Sequence, residues 1–413
     1  MEVVHPRCCG IDVHKQTVVA CLLCSSANGT PSKEVRTFGT MTADLLQLAD
    51  WLTSTDCTHV AMESTGVYWK PIYNLLEGLL EVLVVNARHI KNVPGRKTDV
   101  RDGEWIAELL RHGLLQPSFI PDRPQRELRE LTRYRTSLVR ERAAEVNRLQ
   151  QVLEGANIKL ASVVKDITGA SGHAMLVALV KGNTSAATLA QLARGRLREK
   201  IPSLEQALAG QFQAHQRFLV AQQLVHIEFL DGLLERVSAE IAERVRPFED
   251  AITLLDTMPG IGRRSAEILL AEVGVELDRF PSADHLAAWA GLAPGNNESA
   301  GKRRPATTRK GSPWLRAALV EAAQAAGRSK NTYLGAQFRR LLPRKGKKRA
   351  AVAVAHSILV ITYHVLTHHM PYHDLGANYF DERARQSVEH RLVHRLEALG
   401  YTVSLQPPGS VAS

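Results

Sequence analysis

Apolar positions in the first 120 residues follow two rhythms. Cys8–Val13 and Thr17–Cys24 are nearly unbroken apolar, β-rich runs, and Glu34–Gly39, His59–Met62 and Glu81–Val85 are shorter runs that read as further strands. Between them the period lengthens to that of a helix. Ala43–Leu52 sets Leu45, Leu46, Leu48, Ala49 and Leu52 on one side, Val67–Leu80 is amphipathic, and Asp99–Leu110 has Trp105, Ile106, Leu109 and Leu110 as its apolar side. The order βββαβαβα predicts a mixed sheet with helices packed on it, in the α/β class.

The pattern changes after Pro121. Pro124–Leu153 is a long helical pattern with Leu128, Leu131, Leu138, Val146, Leu149 and Leu153 spaced for a seam, and it carries eight arginines between Arg123 and Arg148. Residues 155–215 hold shorter helical pieces, and Phe218–Val245 is a second long amphipathic helix. The two long helices predict an antiparallel arm. Its heptads are imperfect, so a coiled coil and a plain helical bundle both fit. From Ala251 the expected helices are 264–273, 283–290, 313–327 and 350–368, followed by a polar tail with an amphipathic helix, Arg383–Leu399, and a disordered end, Gln406–Ser413. The division that follows is 1–121, 122–250, 251–372 and 373–413. Ala350–Leu366 is the most apolar late stretch. His356, Ser357 and His364 interrupt it and it falls short of the ~20 residues of a spanning helix, so it reads as a buried helix.

Charge adds a partner to this outline. The chain is +10 overall, yet residues 301–350 alone hold 15 Lys and Arg against the single acid Glu321. A positive field confined to one region is what a nucleic-acid contact surface requires. All five cysteines lie before residue 58, an odd number with no basic-then-apolar leader ahead of them. That argues against a disulfide framework and for a reducing cytoplasm. Cys21 and Cys24 form a C-x-x-C pair with no second pair to complete a zinc site, so they read as strand residues.

Four acids carry candidate chemistry. Asp12 ends a strand in Gly10-Ile11-Asp12-Val13-His14, Glu63 ends another in Met62-Glu63-Ser64-Thr65-Gly66, and Asp99 and Asp102 sit three residues apart at the start of a helix. Parallel neighbouring strands ending together would set Asp12 beside Glu63. Four carboxylates at one sheet edge repel unless cations neutralise them, and hard oxygen donors suit Mg2+ or Mn2+. A pair of such ions can serve phosphodiester chemistry. Farther along, Pro259-Gly260-Ile261-Gly262 ahead of Arg263 reads as a helix-hairpin-helix turn whose backbone N–H groups suit a phosphate. Ser299 lies in a Gly- and Asn-rich loop that runs into Lys302, Arg303 and Arg304, with Arg309 and Lys310 beyond. These cations would support a serine nucleophile at a phosphate. Arg344, Lys345, Lys347, Lys348 and Arg349 form a further basic run.

Taken together, GIDVHK, MESTGVYW and KTDVRD resemble the RuvC-like DEDD domain of the insertion-sequence family one-ten transposases, and the PGIG turn, AGLAPGNNES and KGSPWLR resemble that family's C-terminal transposase domain. The resemblance covers about residues 7–120 and 251–370. It implies an RNase H-like N-terminal sheet holding metal on Asp12, Glu63, Asp99 and Asp102. It implies a C-terminal domain in which Ser299 forms a covalent phosphoserine link to DNA. It further implies donor and target DNA, a non-coding bridge RNA and a second copy of the chain as partners, in a prokaryotic, nucleoid-associated setting. Family members often show Ser followed directly by Gly, whereas here Ala300 stands between Ser299 and Gly301, which leaves Ser312 as a weaker fallback nucleophile. Two other readings compete: a metal-dependent junction nuclease in which Ser299 only shapes a loop, and a non-enzymatic nucleic-acid-binding protein on the same fold.

Overall fold

Five strands precede residue 90 in the computed structural model of the chain, which describes residues 2–25, 32–64, 66–87, 90, 102–183, 185–295, 298–299, 301–303 and 307–405. They are β1 (Arg7–Val13), β2 (Thr17–Cys24), β3 (Ser32–Gly39), β4 (His59–Glu63) and β5 (Glu81–Val85), ordered β3-β2-β1-β4-β5. β1–β2 and β2–β3 pair antiparallel, while β1–β4 and β4–β5 are parallel. The parallel connections carry helices, as crossovers require: α1 (Thr42–Ser54) before β4 and α2 (Trp69–Leu76) before β5. α2 is shorter than the pattern predicts. Gly78 takes φ +87, which turns the chain out of the helix, and Glu77 and Leu80 form a β-bridge instead.

Strand alternation gives this sheet two dry faces. Cys9, Ile11, Val13, Val60 and Met62 pack on one side against Leu48, Trp51, Leu52, Ile72 and Leu76 of α1 and α2. Each such side chain contributes about 1.5–3 kcal/mol by leaving water. Cys8, Cys21, Leu23, Ala61 and Val85 face the other side, where α3 (Asp102–Arg111) lays down Ile106, Ala107, Leu109 and Leu110. Cys21 therefore points away from Cys24, which packs on the α1–α2 side. Two residues on opposite faces cannot share an ion, and all five cysteines are free.

The chain divides into two compact units, Met1–Pro121 and Asp122–Ser413. In the second, α4 (Arg123–Gly155) starts with Asp122 capping the Gln125 N–H and Pro124 in the first turn. α5 (Ala170–Val180) and α6 (Ile201–Leu208) lie in the connection to α7 (Ala214–Val245). α4 and α7 run antiparallel: Arg244 reaches Glu127 at 2.7 Å, and Gln216 lies beside Gly155 at the opposite end. Midway along the pair, Leu138, Leu230 and Leu234 form a small buried seam of their own. One end of the pair enters a core with α5 and α6, through Leu149, Leu153, Val220 and Leu224. At the other end, Leu128, Ile241 and Val245 share the core of the helices that follow residue 248. The arm is thus a short two-helix seam between two bundles, and its base is continuous with the C-terminal helices.

Those helices are α8 (Glu249–Asp256), α9 (Arg263–Val273), α10 (Ala283–Trp289), α11 (Pro313–Ala326) and α12 (Tyr333–His368), followed by α13 (Tyr379–Arg383) and α14 (Arg385–Glu397). Gly346 breaks α12 with φ +73 and ψ 163, so it is two helices meeting at a kink. α12 is long and apolar enough to cross a membrane, but half of its apolar window is buried in the unit, including Ala351, Val354, Ala355, Ile358 and Leu359. Residues 406–413 of the tail lie outside the described residues.

Candidate functional site

The register of β1 against β4 aligns Ile11 with Met62, so Asp12 and Glu63 follow as the next pair along two parallel strands. Both acids fall on the α3 face by alternation, since Cys8 and Ala61 on the same strands pack there. α3 begins at Asp102 on that face. Two glycines bring it close. A Cβ at Gly10 would lie 2.2 Å from the Gly103 carbonyl oxygen and 2.3 Å from the Ala107 nitrogen, and a Cβ at Gly103 would lie 3.6 Å from the Asp12 nitrogen. The first turn of α3 therefore rests on the end of β1, and Asp102 shares the edge with Asp12 and Glu63.

Electrostatics record that convergence. The Asp12 carboxyl is held above the usual carboxylate range, first by burial and then by the charges of Asp102 and Glu63, while His14 pulls it down. His14 Nε2 lies 3.2 Å from Asp12 Oδ2. Asp99 lies outside the described residues, and among the described residues no three His, Cys, Asp or Glu side chains are arranged to ligate one ion. The donor set nevertheless fits a hard divalent cation: oxygen ligands only, and negative charge whose mutual repulsion such an ion would relieve. His14, Gly10 and Gly103 join the site only through the fold. The signal for His14 is its i+2 spacing from Asp12, and for the glycines their places two before Asp12 and one after Asp102.

In the second unit, Ser299 lies on a two-stranded ribbon, β6 (Glu298–Ser299) and β7 (Lys302–Arg303), with Ser299 opposite Lys302. Gly301, between the two strands, takes φ +74, a left-handed backbone that glycine adopts without strain. The stem below is closed by backbone contacts. The Gly295 N–H donates to the Thr307 carbonyl at 3.1 Å, Pro294 bridges Thr308, and a Cβ at Gly291 would meet the Arg309 carbonyl at 2.6 Å. Arg316 locks the stem from α11, donating to the Gly291 carbonyl at 3.2 Å and Thr308 Oγ1 at 2.9 Å. Arg309 and Lys310 are exposed on that stem, while Arg304 lies outside the described residues.

Four candidates have structural duties. The Ser312 hydroxyl caps α11, accepting from the Leu315 N–H at 3.3 Å and donating to Glu272 Oε2 at 3.0 Å. Arg263 holds Glu249 through both terminal guanidinium nitrogens and meets Glu267 through Nε at 3.2 Å. A Cβ at Gly260 would strike the Ala322 carbonyl oxygen at 2.3 Å, so this glycine is required by the close approach of α11. Gly262 caps α9 in extended backbone, with φ −117 and ψ 173. The basic run Arg344, Lys345, Lys347, Lys348, Arg349 is exposed on both sides of the Gly346 kink. Several arginines of α4, by contrast, are engaged inside the unit. Arg135 meets Glu267 at 2.6 Å with both side chains about 4% exposed, Arg133 grips Glu272 at 2.7 and 2.8 Å, and Arg129 donates to the Ala271 carbonyl at the end of α9.

Comparison with known proteins converges on one group. A family model described as "Transposase" matches residues 9–158, and one described as "Transposase IS116/IS110/IS902 family" matches residues 252–339, together more than half of the chain. The chain is 29% identical over 275 residues to an uncharacterized 44.8 kDa protein of insertion element IS116 from Streptomyces clavuligerus, covering 57% of this chain and 67% of that one. It is 26% identical over 315 residues to a "Probable family 20 transposase" of Pseudomonas aeruginosa, covering 75% and 83%. It is 34% identical over 125 residues to a pilin gene-inverting protein of Moraxella bovis, covering 29% and 38%.

Proposed function

The chain belongs to the IS116/IS110/IS902 family of transposases, and from that premise we propose that it cuts and rejoins element DNA by transesterification at Ser299, assisted by divalent cations on Asp12, Glu63, Asp99 and Asp102. The observation that carries the metal half is the convergence of Asp12, Glu63 and Asp102 at one edge of the sheet. The strand order β3-β2-β1-β4-β5, with acids at the ends of β1 and β4, supports a RuvC-like reading of this unit. Bound there, Mg2+ or Mn2+ would polarise a phosphodiester and stabilise a leaving oxygen. The chain's own part is to hold the acids on rigid strand ends, with His14 hydrogen-bonded to Asp12.

In the second unit the Ser299 oxygen attacks a backbone phosphorus. One Ser–O–P bond forms as one strand P–O bond breaks, and the departing strand hydroxyl takes the proton. Rejoining is the reverse attack by a strand hydroxyl, so no bond energy is lost and no cofactor is consumed. Arg309 and Lys310, exposed on the stem, would meet the phosphate charge. The relative named for inverting a pilin gene fits such break-and-rejoin chemistry. A guide RNA and a second copy of the chain complete the proposal. The RNA would supply sequence choice by base pairing, leaving the protein to hold backbones. A helix-hairpin-helix role for the 258–262 turn belongs to the same proposal: Gly262 opens the N-terminus of α9, whose first backbone N–H groups would meet a phosphate.

The test is strand exchange with purified protein, RNA transcribed from the element's flank, donor and target DNA and Mg2+, comparing wild type with Ser299→Ala and Asp12→Ala on denaturing gels. Recombinants plus a covalent protein–DNA adduct, both abolished by Ser299→Ala, support the reading. Cleavage that survives Ser299→Ala and is lost in Asp12→Ala would make the chain a metal nuclease.

A further inference from the structure

The far end of the arm carries a charge of its own. Residues 156–213, the bundle around α5 and α6, hold seven Lys and Arg against three acids, although the chain outside residues 301–350 is net negative. The cations are densest at a 3-10 turn, Gly195–Lys200, where Arg194, Arg196, Arg198 and Lys200 stand with Glu199 as the one acid. All four are exposed, and among the described residues no carboxylate pairs with them. The arginines of α4 differ: Arg133, Arg135 and Arg142 each grip a carboxylate. The turn is pinned in place. The Arg194 N–H donates to Ser171 Oγ at 3.0 Å, Arg198 Nε to the Ala193 carbonyl at 3.3 Å and Lys200 Nζ to the Val163 carbonyl at 3.4 Å. These bonds lay the turn along residues 163–171 and bring the exposed Lys165 to its edge. Asp166 on that stretch is occupied, since its carboxylate accepts from the Thr168 N–H at 3.0 Å and the Thr168 hydroxyl at 2.8 Å.

Unneutralised cations gathered on one surface repel one another and gain from an anion supplied from outside. Two features choose that anion. The only Phe, Tyr or Trp in residues 156–213 is Phe212, which is buried in the core of the bundle. The surface therefore has no such ring on which an unpaired base could stack, the usual grip on a single strand. What it offers is charge alone, and a duplex backbone answers with one phosphate charge per ~1.7 Å of axis. The second feature is distance. Leu128 of α4 lies in the core of the C-terminal helices and Leu149 in the core of the tip, a separation of roughly 30 Å along the helix, close to one turn of B-DNA at ~34 Å. We propose that the arm tip is a second DNA-docking surface, holding duplex backbone on Lys165, Arg194, Arg196, Arg198 and Lys200, about one helical turn from the basic C-terminal region. The proposal rests on the reading that the chain acts on DNA and is independent of the chemistry at Ser299 and at the carboxylate edge.

Titration of the full-length protein at several salt concentrations tests it, using a DNA duplex of about three helical turns and the RNA duplex of the same sequence. Arg194→Gln paired with Arg196→Gln should lower the slope of log K against log salt on DNA by about 1.8, that is about 0.9 for each phosphate released. The melting temperature should stay as it is, because among the described residues neither side chain is hydrogen-bonded or ion-paired. In the wild type, bound DNA should slow acetylation of Lys165 severalfold, read by mass spectrometry. A DNA slope unchanged in the paired variant, or a Lys165 acetylated as fast with DNA as without it, overturns the surface. If Arg344→Gln with Arg349→Gln still lowers the slope in that case, DNA binding by the C-terminal region stands without the tip. A loss confined to the RNA duplex makes the occupant RNA and overturns the assignment to DNA. A wild type that binds neither duplex overturns both this surface and the reading on which it rests.

Discussion

At Gly10 a methyl group has no room, because the Gly103 carbonyl oxygen already occupies its position at 2.2 Å. Gly10→Ala must lift α3 from β1. Overpacking of this kind costs about 1–3 kcal/mol, and here it also withdraws Asp102 from Asp12. The expected outcome is a lower urea midpoint together with loss of strand exchange in the assay described above, whereas Leu46→Ala on the exposed side of α1 should change neither. The buried thiols act at the same scale. Burial pushes Cys8 and Cys57 up to about 12 and Cys21 to about 11 from an ordinary value near 9.0. Because folding raises these values, the stability they contribute is whole below pH 9 and is lost as pH climbs towards 11–12. Thermal melts from pH 8 to 11 should show the first unit weakening on the alkaline side. Thiol reagents should label the partly exposed Cys24 in the native protein and the other four only after unfolding.

Among elements, the docking of α4 on α9 depends on carboxylates that are almost wholly enclosed. Glu272 receives Arg133 and Ser312, and Glu267 receives Arg135 and Arg263. Arg129, between them, is lowered to about 10 chiefly by desolvation. Removing one partner of such a pair costs about 3–5 kcal/mol because the other charge stays buried. Glu272→Ala should therefore lower the melting temperature by several degrees, and Arg123→Ala, on an exposed pair, should leave it nearly unchanged. The helices themselves are legible in the sequence because their apolar spacing is local. The partners of the α4 arginines are not: Arg133 and Glu272 stand 139 positions apart, and an arginine-rich helix looks the same in sequence whether its charges face phosphate or carboxylate. For the same reason Asp12 and Glu63 can be paired from two strand ends alone, while the Gly10–Gly103 approach that delivers Asp102 emerges only from the fold. Ser312 looks reactive beside a basic loop, yet its neighbours make it a helix cap.

For the molecule as a whole, positive charge is gathered in residues 301–350 while the rest of the chain is net negative. Binding to nucleic acid should thus fall steeply with salt. Replacing Arg344 and Arg349 by Gln should reduce the slope of log K against log salt by about 0.9 for each duplex-DNA phosphate that is no longer neutralised, measured by titration at several ionic strengths. A folded molecule in which neither arginine meets a phosphate would show an unchanged slope.

The kink at Gly346 has a practical corollary. A protease that cuts after Lys and Arg needs a few residues of extended, accessible backbone, and a continuous helix denies it that. Here the helix is interrupted in the middle of five such residues, all of them exposed. Brief trypsin digestion of the free protein should nick this segment before the rest of α12, splitting off a fragment that begins near Lys347. A bound polyanion would shield the same bonds, so the rate of that single nick becomes a gauge of occupancy, readable on a gel without any assay of recombination.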